Sequence, residues 1–186
     1  MKVLGVSGSL RADSHNTAIL RGARDLMPTG VDLELWNGLR DIPPYDEDDD
    51  TEPAPPAVAA LRAALAGADA VLFSTPEYNS SIPGQLKNAL DWASRPIATS
   101  VLRNKPVAVV GASTGAFGAV WAQAELRKVL GAVGARVVEG EVAVGHAHEK
   151  LDADGTLIDE NLREEFTEVV DGLVDAVRVR TAAIAA

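Results

Sequence analysis

Short apolar runs alternate along this chain with segments of helical periodicity, and this alternation is the strongest constraint on its fold. Three of the runs, Val3–Ser7, Ala70–Ser74 and Pro106–Gly111, contain little polar alternation, as expected of strands buried on both faces of a parallel sheet. Val31–Trp36 alternates apolar and polar residues, which predicts a strand nearer the sheet edge. Ala135–Glu139 is a candidate for a last short strand.

The segments between these runs have the apolar spacing of helices. The predicted helices are Thr17–Met27, Ala57–Ala66, Pro83–Ala93, Phe117–Leu130 and Asn161–Arg180. Because strands and helices alternate, we expect one α/β domain over residues 1–186, with a doubly wound five-stranded parallel sheet and helices on both faces. Ligands bind such sheets beyond the carboxyl ends of the strands, so the loops at those ends are the places to search.

The loop after the first strand, Ser7–Asn16, is rich in donors for an anion. A phosphate at a helix N-terminus is stabilised by backbone N–H groups, hydroxyls and a cation. Gly8 allows the backbone to approach closely, and Arg11 offers a charge-assisted contact. The candidate ligands are Ser9, Arg11, Ser14, His15 and Asn16. The alternative is a serine-rich turn in which Ser14 or Asn16 only caps the helix.

Other classes of protein are excluded by what the sequence lacks. It contains neither GxxxxGK(S/T) nor GxGxxG, which argues against a P-loop NTPase and a dinucleotide-binding Rossmann site. A net charge of −10 argues against nucleic acid as a partner. Cysteine is absent, so disulfides and thiolate metal sites are excluded. No apolar run has the length of a membrane span, and a cytoplasmic protein is expected.

Two further loops follow predicted strands and suit a planar ring. In Ser74–Gly84, backbone N–H groups of Glu77–Asn79 are candidates for the pyrimidine edge of a flavin, and Pro76 and Tyr78 for cover of its faces. In Gly111–Gly118, small residues allow another ring edge to lie against backbone. Taken singly, each loop is equally compatible with an ordinary turn.

The stretch Pro76–Trp92, with the sequence PEYNSSIPGQLKNALDW, closely resembles the signature of the NAD(P)H-dependent FMN reductase family. That family includes quinone, chromate and azo-dye reductases. The resemblance extends over essentially the whole chain, since residues 8–16 look like its phosphate loop and residues 113–115 like its third flavin loop. It implies that the FMN phosphate is bound by Ser9, Arg11, Ser14 and Asn16. It implies that the flavin is contacted by Pro76, Glu77, Tyr78, Asn79, Ser113, Thr114 and Gly115.

The resemblance also implies a flavodoxin-like fold and an activity. Hydride would pass from NADPH or NADH to FMN, and electrons to a quinone, free flavin, metal-oxyanion or azo-type acceptor, with no catalytic side chain and no metal required. It implies a homodimer or homotetramer with FMN near the interface. The alternative is a flavodoxin-type electron carrier or a non-catalytic flavin-binding module. Arg11 and an aromatic content of 4% favour the enzyme. Phe117 departs from the glycine-rich third loop of many relatives and is expected to cover the ring or narrow the acceptor pocket.

Several side chains outside these loops carry weaker expectations. Asp91 and Arg95 are spaced for a surface ion pair, and Lys87 is a minor candidate for contact with a nicotinamide nucleotide. Trp92 is expected in the core or an interface, and an exposed Trp121 would indicate an interface.

Two segments interrupt the strand–helix pattern. Gly38–Pro56, which includes the acidic run Asp46–Asp50, is expected to be a solvated loop, and Gly145–Thr156 a hairpin or extended loop. Neither the acidic run nor His146 and His148 has the spacing of a convincing metal site.

Overall fold

The apolar runs form the centre of a parallel sheet in the computed structural model, which describes residues 1–185. The strands are β1 (Lys2–Ser7), β2 (Asp32–Trp36), β3 (Ala70–Thr75), β4 (Pro106–Ala112), β5 (Arg136–Val137) and β6 (Ala143–Val144). Their order is β2-β1-β3-β4-β5, with β6 also beside β4. This is the flavodoxin-like order, which confirms the predicted fold. Strands β3 and β4 are buried along their whole length.

The fifth position of the sheet is shared by two short strands. β5 pairs with the first two residues of β4, and β6 pairs with its last two. The strand predicted at Ala135–Glu139 is therefore shorter than expected. Across the interruption, the guanidinium of Arg127 donates to the carbonyl oxygens of Val109, Val138 and Gly140. Arg127 thus supplies hydrogen-bond donors where the edge ladder is broken, and its burial lowers the pKa of the guanidinium.

Helices cover both faces of the sheet, as predicted. They are α1 (His15–Gly22), α2 (Pro56–Ala66), α3 (Gly84–Ala93), α4 (Val120–Ala132), α5 (Ala147–Lys150) and α6 (Glu160–Ala185). Helices α1 and α6 pack on one face, and α2, α3 and α4 on the other. None of the helices in the described part of the chain is both long enough and apolar enough to cross a membrane.

Two helix boundaries differ from the prediction for backbone reasons. The helix expected over Thr17–Met27 ends at Gly22, and a 3₁₀ turn follows before Met27 becomes extended ahead of a proline. The helix expected from Phe117 begins later because Gly118 and Ala119 have φ of 57° and 64°. Such left-handed residues cannot belong to a right-handed helix.

Polar side chains of α3 fasten the long segment Gly38–Pro56 to this helix. Gln85 donates to two carbonyl oxygens of the segment. Asn88 and Trp92 both donate to the carbonyl oxygen of Pro43, at 2.7 and 2.9 Å. The segment is therefore anchored rather than free. Three residues of the stretch Pro76–Trp92, which resembles the family signature, thus hold this segment against α3.

The charged side chains around α2 and α3 pair differently from the sequence expectation. Asp91 pairs with Lys87 at 2.7 Å, not with Arg95. The Arg95 guanidinium lies 5.9 Å from the ring centroid of Tyr45 instead. Within the acidic run, Asp46–Asp49 are exposed, in agreement with the prediction. Asp50, the last residue of that run, pairs with a half-buried arginine of α2.

Candidate functional site

The loops after β1, β3 and β4 meet at one end of the sheet and enclose an open cleft of about 110 Å³. Ten of the twelve predicted site residues line this cleft, which we call the three-loop cleft. Its lining consists of Ser9, Arg11, Ser14, His15, Asn16, Pro76, Glu77, Tyr78, Ala112, Ser113 and Thr114. Asn79 and Gly115 lie in the same loops but outside the lining, and Ala112 was not foreseen.

Serine hydroxyls stabilise the first loop by accepting hydrogen bonds, and their own protons remain available to an anion. Ser14 caps α1 by accepting from the Thr17 N–H at 3.3 Å, and the Ser9 hydroxyl accepts from the Arg11 N–H at 3.3 Å. Acting as acceptors, both hydroxyls retain a proton to donate. The first turn of α1 carries no acidic residue, so the positive end of its dipole is uncompensated. With the exposed Arg11 guanidinium, this donor set fits a phosphate.

Packing requires a glycine at position 8, in addition to the close approach to a ligand that was predicted. It is buried, and its N–H donates to the Ser74 carbonyl at 2.8 Å. A Cβ here would lie 2.8 Å from a methyl carbon of Leu86 and 3.4 Å from Pro76. The small residue therefore lets the first loop pack against α3 and the loop after β3.

Asn16 ties the first loop to the ends of two strands. Its side chain is 3% exposed. The amide nitrogen donates to the Ala112 carbonyl at 2.8 Å, and the amide oxygen accepts from the Ala112 N–H at 3.0 Å and from the Ser74 hydroxyl at 2.8 Å. The amide therefore has a structural role, and its contact with a phosphate stays a prediction. Backbone N–H groups of the first helical turn remain as donors at this position.

The loop after β3 contains a tight turn that uses one of the expected donors. The N–H groups and carbonyls of Tyr78 and Ser81 are mutually hydrogen-bonded at 3.0 and 3.1 Å, with φ of 53° and 59° at Asn79 and Ser80 between them. The Tyr78 N–H is thus not free for a flavin, contrary to the prediction. The Tyr78 side chain is 50% exposed beside the cleft, whereas Pro76 is buried in its wall.

Two glutamates couple this loop to α4 in a reciprocal arrangement. The Glu77 carboxylate accepts from the Ala122 N–H in the first turn of α4, at 3.1 Å. The Glu125 carboxylate of α4 accepts from the Ile82 N–H at 3.3 Å. Glu77 takes the capping task because Ala119, at the N-cap position, has no side-chain acceptor. This side-chain role was missed because its partner is 45 residues away along the chain.

The segment after β6 braces the loop after β4. The His146 N–H donates to the Gly115 carbonyl at 2.9 Å. A Cβ on Gly145 would lie 2.2 Å from the Ala116 carbonyl oxygen. This contact between the two segments was not predicted. The sequence feature that could have indicated it is Gly145, which directly follows a short apolar run.

The rest of the segment Gly145–Thr156 matches the expected hairpin in part. It contains α5 and a turn closed by an antiparallel bridge between Leu151 and Leu157. The rings of His146 and His148 are exposed, with centroids 6.4 Å apart. Across residues 1–185, no group of three or more His, Cys, Asp or Glu side chains is placed to hold a metal ion.

An exposed aromatic pair lies between the third loop and α4. Phe117 and Trp121 are 64% and 49% exposed, and their rings meet edge to face with centroids 5.1 Å apart. Phe117 therefore packs on Trp121 within this chain. Large exposed aromatic residues next to each other are typical of interaction surfaces.

The chain is similar to known proteins of one family. Residues 1–149 match the model of the family described as NADPH-dependent FMN reductase. The chain is 44% identical over 174 residues to an NAD(P)H-dependent FMN reductase of Pseudomonas aeruginosa, covering 93% of each protein. It is 36% identical over 181 residues to 2-hydroxy-1,4-benzoquinone reductase of Burkholderia sp., covering 97% of this chain and 98% of that protein.

One solved structure is similar to this chain in both sequence and fold. FerB from Paracoccus denitrificans, a flavoenzyme NAD(P)H:(acceptor) oxidoreductase, superposes with a TM-score of 0.83 at 36% identity. The match covers 95% of this chain and 97% of FerB.

Proposed function

The chain belongs to the NADPH-dependent FMN reductase family, and from this premise we propose that it binds FMN in the three-loop cleft and reduces quinones. It is an FMN-dependent oxidoreductase that uses NAD(P)H. One observation carries the assignment to this cleft. The donors suited to a phosphate and the two loops suited to a planar ring line the same cleft. Because FMN carries the redox chemistry, the protein has to bind FMN, orient it and leave it accessible to the substrates.

The first loop holds the phosphate in this proposal. The Arg11 guanidinium and the Ser9 hydroxyl contact its oxygens, and the N–H groups of His15 and Asn16 point from the helix N-terminus. Ser14 fixes the loop and offers its hydroxyl. These local contacts are needed because the protein as a whole, with a net charge of −10, repels an anion.

The second and third loops hold the ring. In this proposal Pro76 and Tyr78 cover the ring, and Ser113 and Thr114, which line the same cleft, lie against its edge. Glu77 and Asn79 support this arrangement, Glu77 through its bond to α4 and Asn79 through its positive φ in the turn. When bound, FMN supplies two-electron redox chemistry between NAD(P)H and an acceptor. Thr114 and Gly115 of the third loop are exposed, so the cleft is open to solvent at this loop.

A quinone is the proposed acceptor because relatives over nearly the full chain are named for quinone reduction. The test is to mix purified holoprotein with NADPH or NADH without oxygen and to follow the visible flavin absorption band. We expect the band to bleach and to return when benzoquinone is added. If neither nucleotide bleaches the band, the proposed activity is wrong; if azo dyes or chromate restore it and quinones do not, only the acceptor is wrong.

For assembly, we propose a homodimer formed through the Phe117–Trp121 pair, with a homotetramer as the larger alternative. The pair supports this because it exposes adjoining apolar surface beside the cleft. Trp121→Ser should lower the mass measured by sedimentation equilibrium, whereas Val179→Ser, at an exposed position on α6, serves as the control. Equal masses for both variants and the parent protein would refute this interface. The cytoplasmic location expected from the sequence stays a prediction, which cell fractionation tests.

A further inference from the structure

A second cleft adjoins the first loop on the side of β2, with a volume of about 250 Å³. Three arginines, Arg11, Arg21 and Arg40, line it, and none of its lining residues is acidic. We call it the arginine cleft. All three side chains are exposed, and in the described part of the chain none of them forms an ion pair. Arg11 also lines the three-loop cleft, where we assign it to the FMN phosphate. In the FMN-loaded protein, Arg21 and Arg40 are therefore the two charges of the arginine cleft that remain for another anion, in a protein with a net charge of −10.

The charge of the arginine cleft sets it apart from the larger cleft beside α6. That cleft, of about 720 Å³, is lined by Glu160, Glu164 and Glu168 together with Arg163. Its carboxylates would repel an anionic ligand. The arginine cleft has the opposite character, and guanidinium groups are suited to bidentate contact with phosphate oxygens.

Two side chains of the arginine cleft, those of Arg40 and Trp36, contact the surrounding backbone. The Arg40 guanidinium donates to the carbonyl oxygen of Leu10 at 2.5 Å. The half-buried indole of Trp36 lies against Gly38, where a Cβ would be 2.6 Å from the ring. An aromatic ring beside arginines can stack on a heterocyclic base while the arginines bind its phosphate. This combination recognises a phosphorylated nucleoside.

The arginine cleft adjoins the three-loop cleft, since Ser9 and Arg11 line both. A dinucleotide that occupies both clefts has its reactive end at the flavin and its other end beside Arg21 and Arg40. We propose that the arginine cleft binds the adenosine 2′-phosphate of NADPH, with Trp36 against the adenine, and so makes the enzyme select NADPH over NADH. This rests on the proposed function and names the nucleotide that serves it.

The test compares Arg21→Ala and Arg40→Ala with Arg24→Ala in the FMN-loaded protein. Arg24 is an exposed arginine just after α1 that lies outside the arginine cleft, so its variant removes the same charge elsewhere. Binding of adenosine 2′,5′-bisphosphate and of 5′-AMP is measured by calorimetry. Anaerobic flavin reduction is measured in parallel with NADPH and with NADH.

Each of the two cleft variants should weaken adenosine 2′,5′-bisphosphate about ten-fold or more, the loss expected for one charge-assisted contact, and lower NADPH efficiency equally. Affinity for 5′-AMP, NADH efficiency and FMN content should stay unchanged, as should every value for Arg24→Ala. The proposal is overturned if NADPH and NADH efficiencies fall together, if neither falls, or if the parent protein binds both adenosine probes equally. Failure of the parent protein to be reduced by either nucleotide would instead refute the proposed function, while calorimetry still tests the cleft.

Discussion

Replacing Asn16 by alanine separates the structural role of this residue from the phosphate contact that the sequence suggested. The amide makes three hydrogen bonds to Ala112 and Ser74 in a site from which water is excluded. In Asn16→Ala, the Ala112 N–H, the Ala112 carbonyl and the Ser74 hydroxyl all lose this partner. At about 1–1.5 kcal/mol for each bond, the free energy of unfolding should fall by about 3–4 kcal/mol.

The assay is urea unfolding followed by tryptophan fluorescence at several FMN concentrations, extrapolated to zero FMN. The extrapolation removes the contribution of ligand binding to stability. Ser74→Ala is the matched control because it removes one of the three bonds and should cost about 1 kcal/mol. In the double variant the shared bond is lost only once, so the two costs should sum to about 1 kcal/mol more than the measured total.

One result would refute this reasoning. If Asn16→Ala unfolds within about 1 kcal/mol of the parent protein at zero FMN, and its FMN affinity nevertheless falls by more than about ten-fold, corresponding to about 1.4 kcal/mol, then the amide serves the phosphate. The sequence expectation would then be right, and the bonds to Ala112 and Ser74 would not hold the loop in solution.

The other predictions concern the brace, the sheet edge and one ion pair. Gly145→Ala should lower FMN affinity because its Cβ would displace the third loop, whereas Gly131→Ala, with open space around the Cβ, should leave FMN affinity unchanged; fluorescence titration measures both. Arg127→Met should lower the free energy of unfolding by about 2–4 kcal/mol by leaving three carbonyls unpaired, measured by urea unfolding, and a loss below about 0.5 kcal/mol would contradict its role. Lys150 lowers the pKa of Asp159 below its ordinary 3.8 by a hydrogen bond. The pair therefore stabilises the fold above that pH and loses this contribution as the pH falls through the lowered value; Asp159→Asn should flatten the acid side of a stability–pH curve, and an unchanged slope would contradict this.

The sequence was sufficient for features set by local pattern. The buried strands were recognisable because β3 and β4 are apolar on both faces. The first loop was recognisable as a candidate phosphate site because its donors are contiguous. The end of the helix at Gly22 and the late start of α4 depended on backbone angles that hydrophobic periodicity does not encode. A run such as Phe117–Leu130 has helical spacing whether or not its first residues are left-handed.

The hydrogen-bond partners of side chains within the site could not be predicted for a different reason. Asn16 bonds to a residue 96 positions away, and Glu77 to one 45 positions away. A polar residue near a ligand site has the same composition signal whether it contacts the ligand or supports the loop. The three-dimensional structure shows that the side chains of Asn16 and Glu77 both support the loops.

The division of the fifth strand position between β5 and β6 bears on how the protein avoids aggregation. A long uninterrupted edge strand offers a row of unpaired backbone groups on which another chain can add a strand. Here that edge consists of two-residue strands with Arg127 between them, which gives an incoming strand no continuous template. The opposite edge, β2, carries the exposed carboxylates Asp32 and Glu34. Both borders of the sheet are thus unsuited to strand addition.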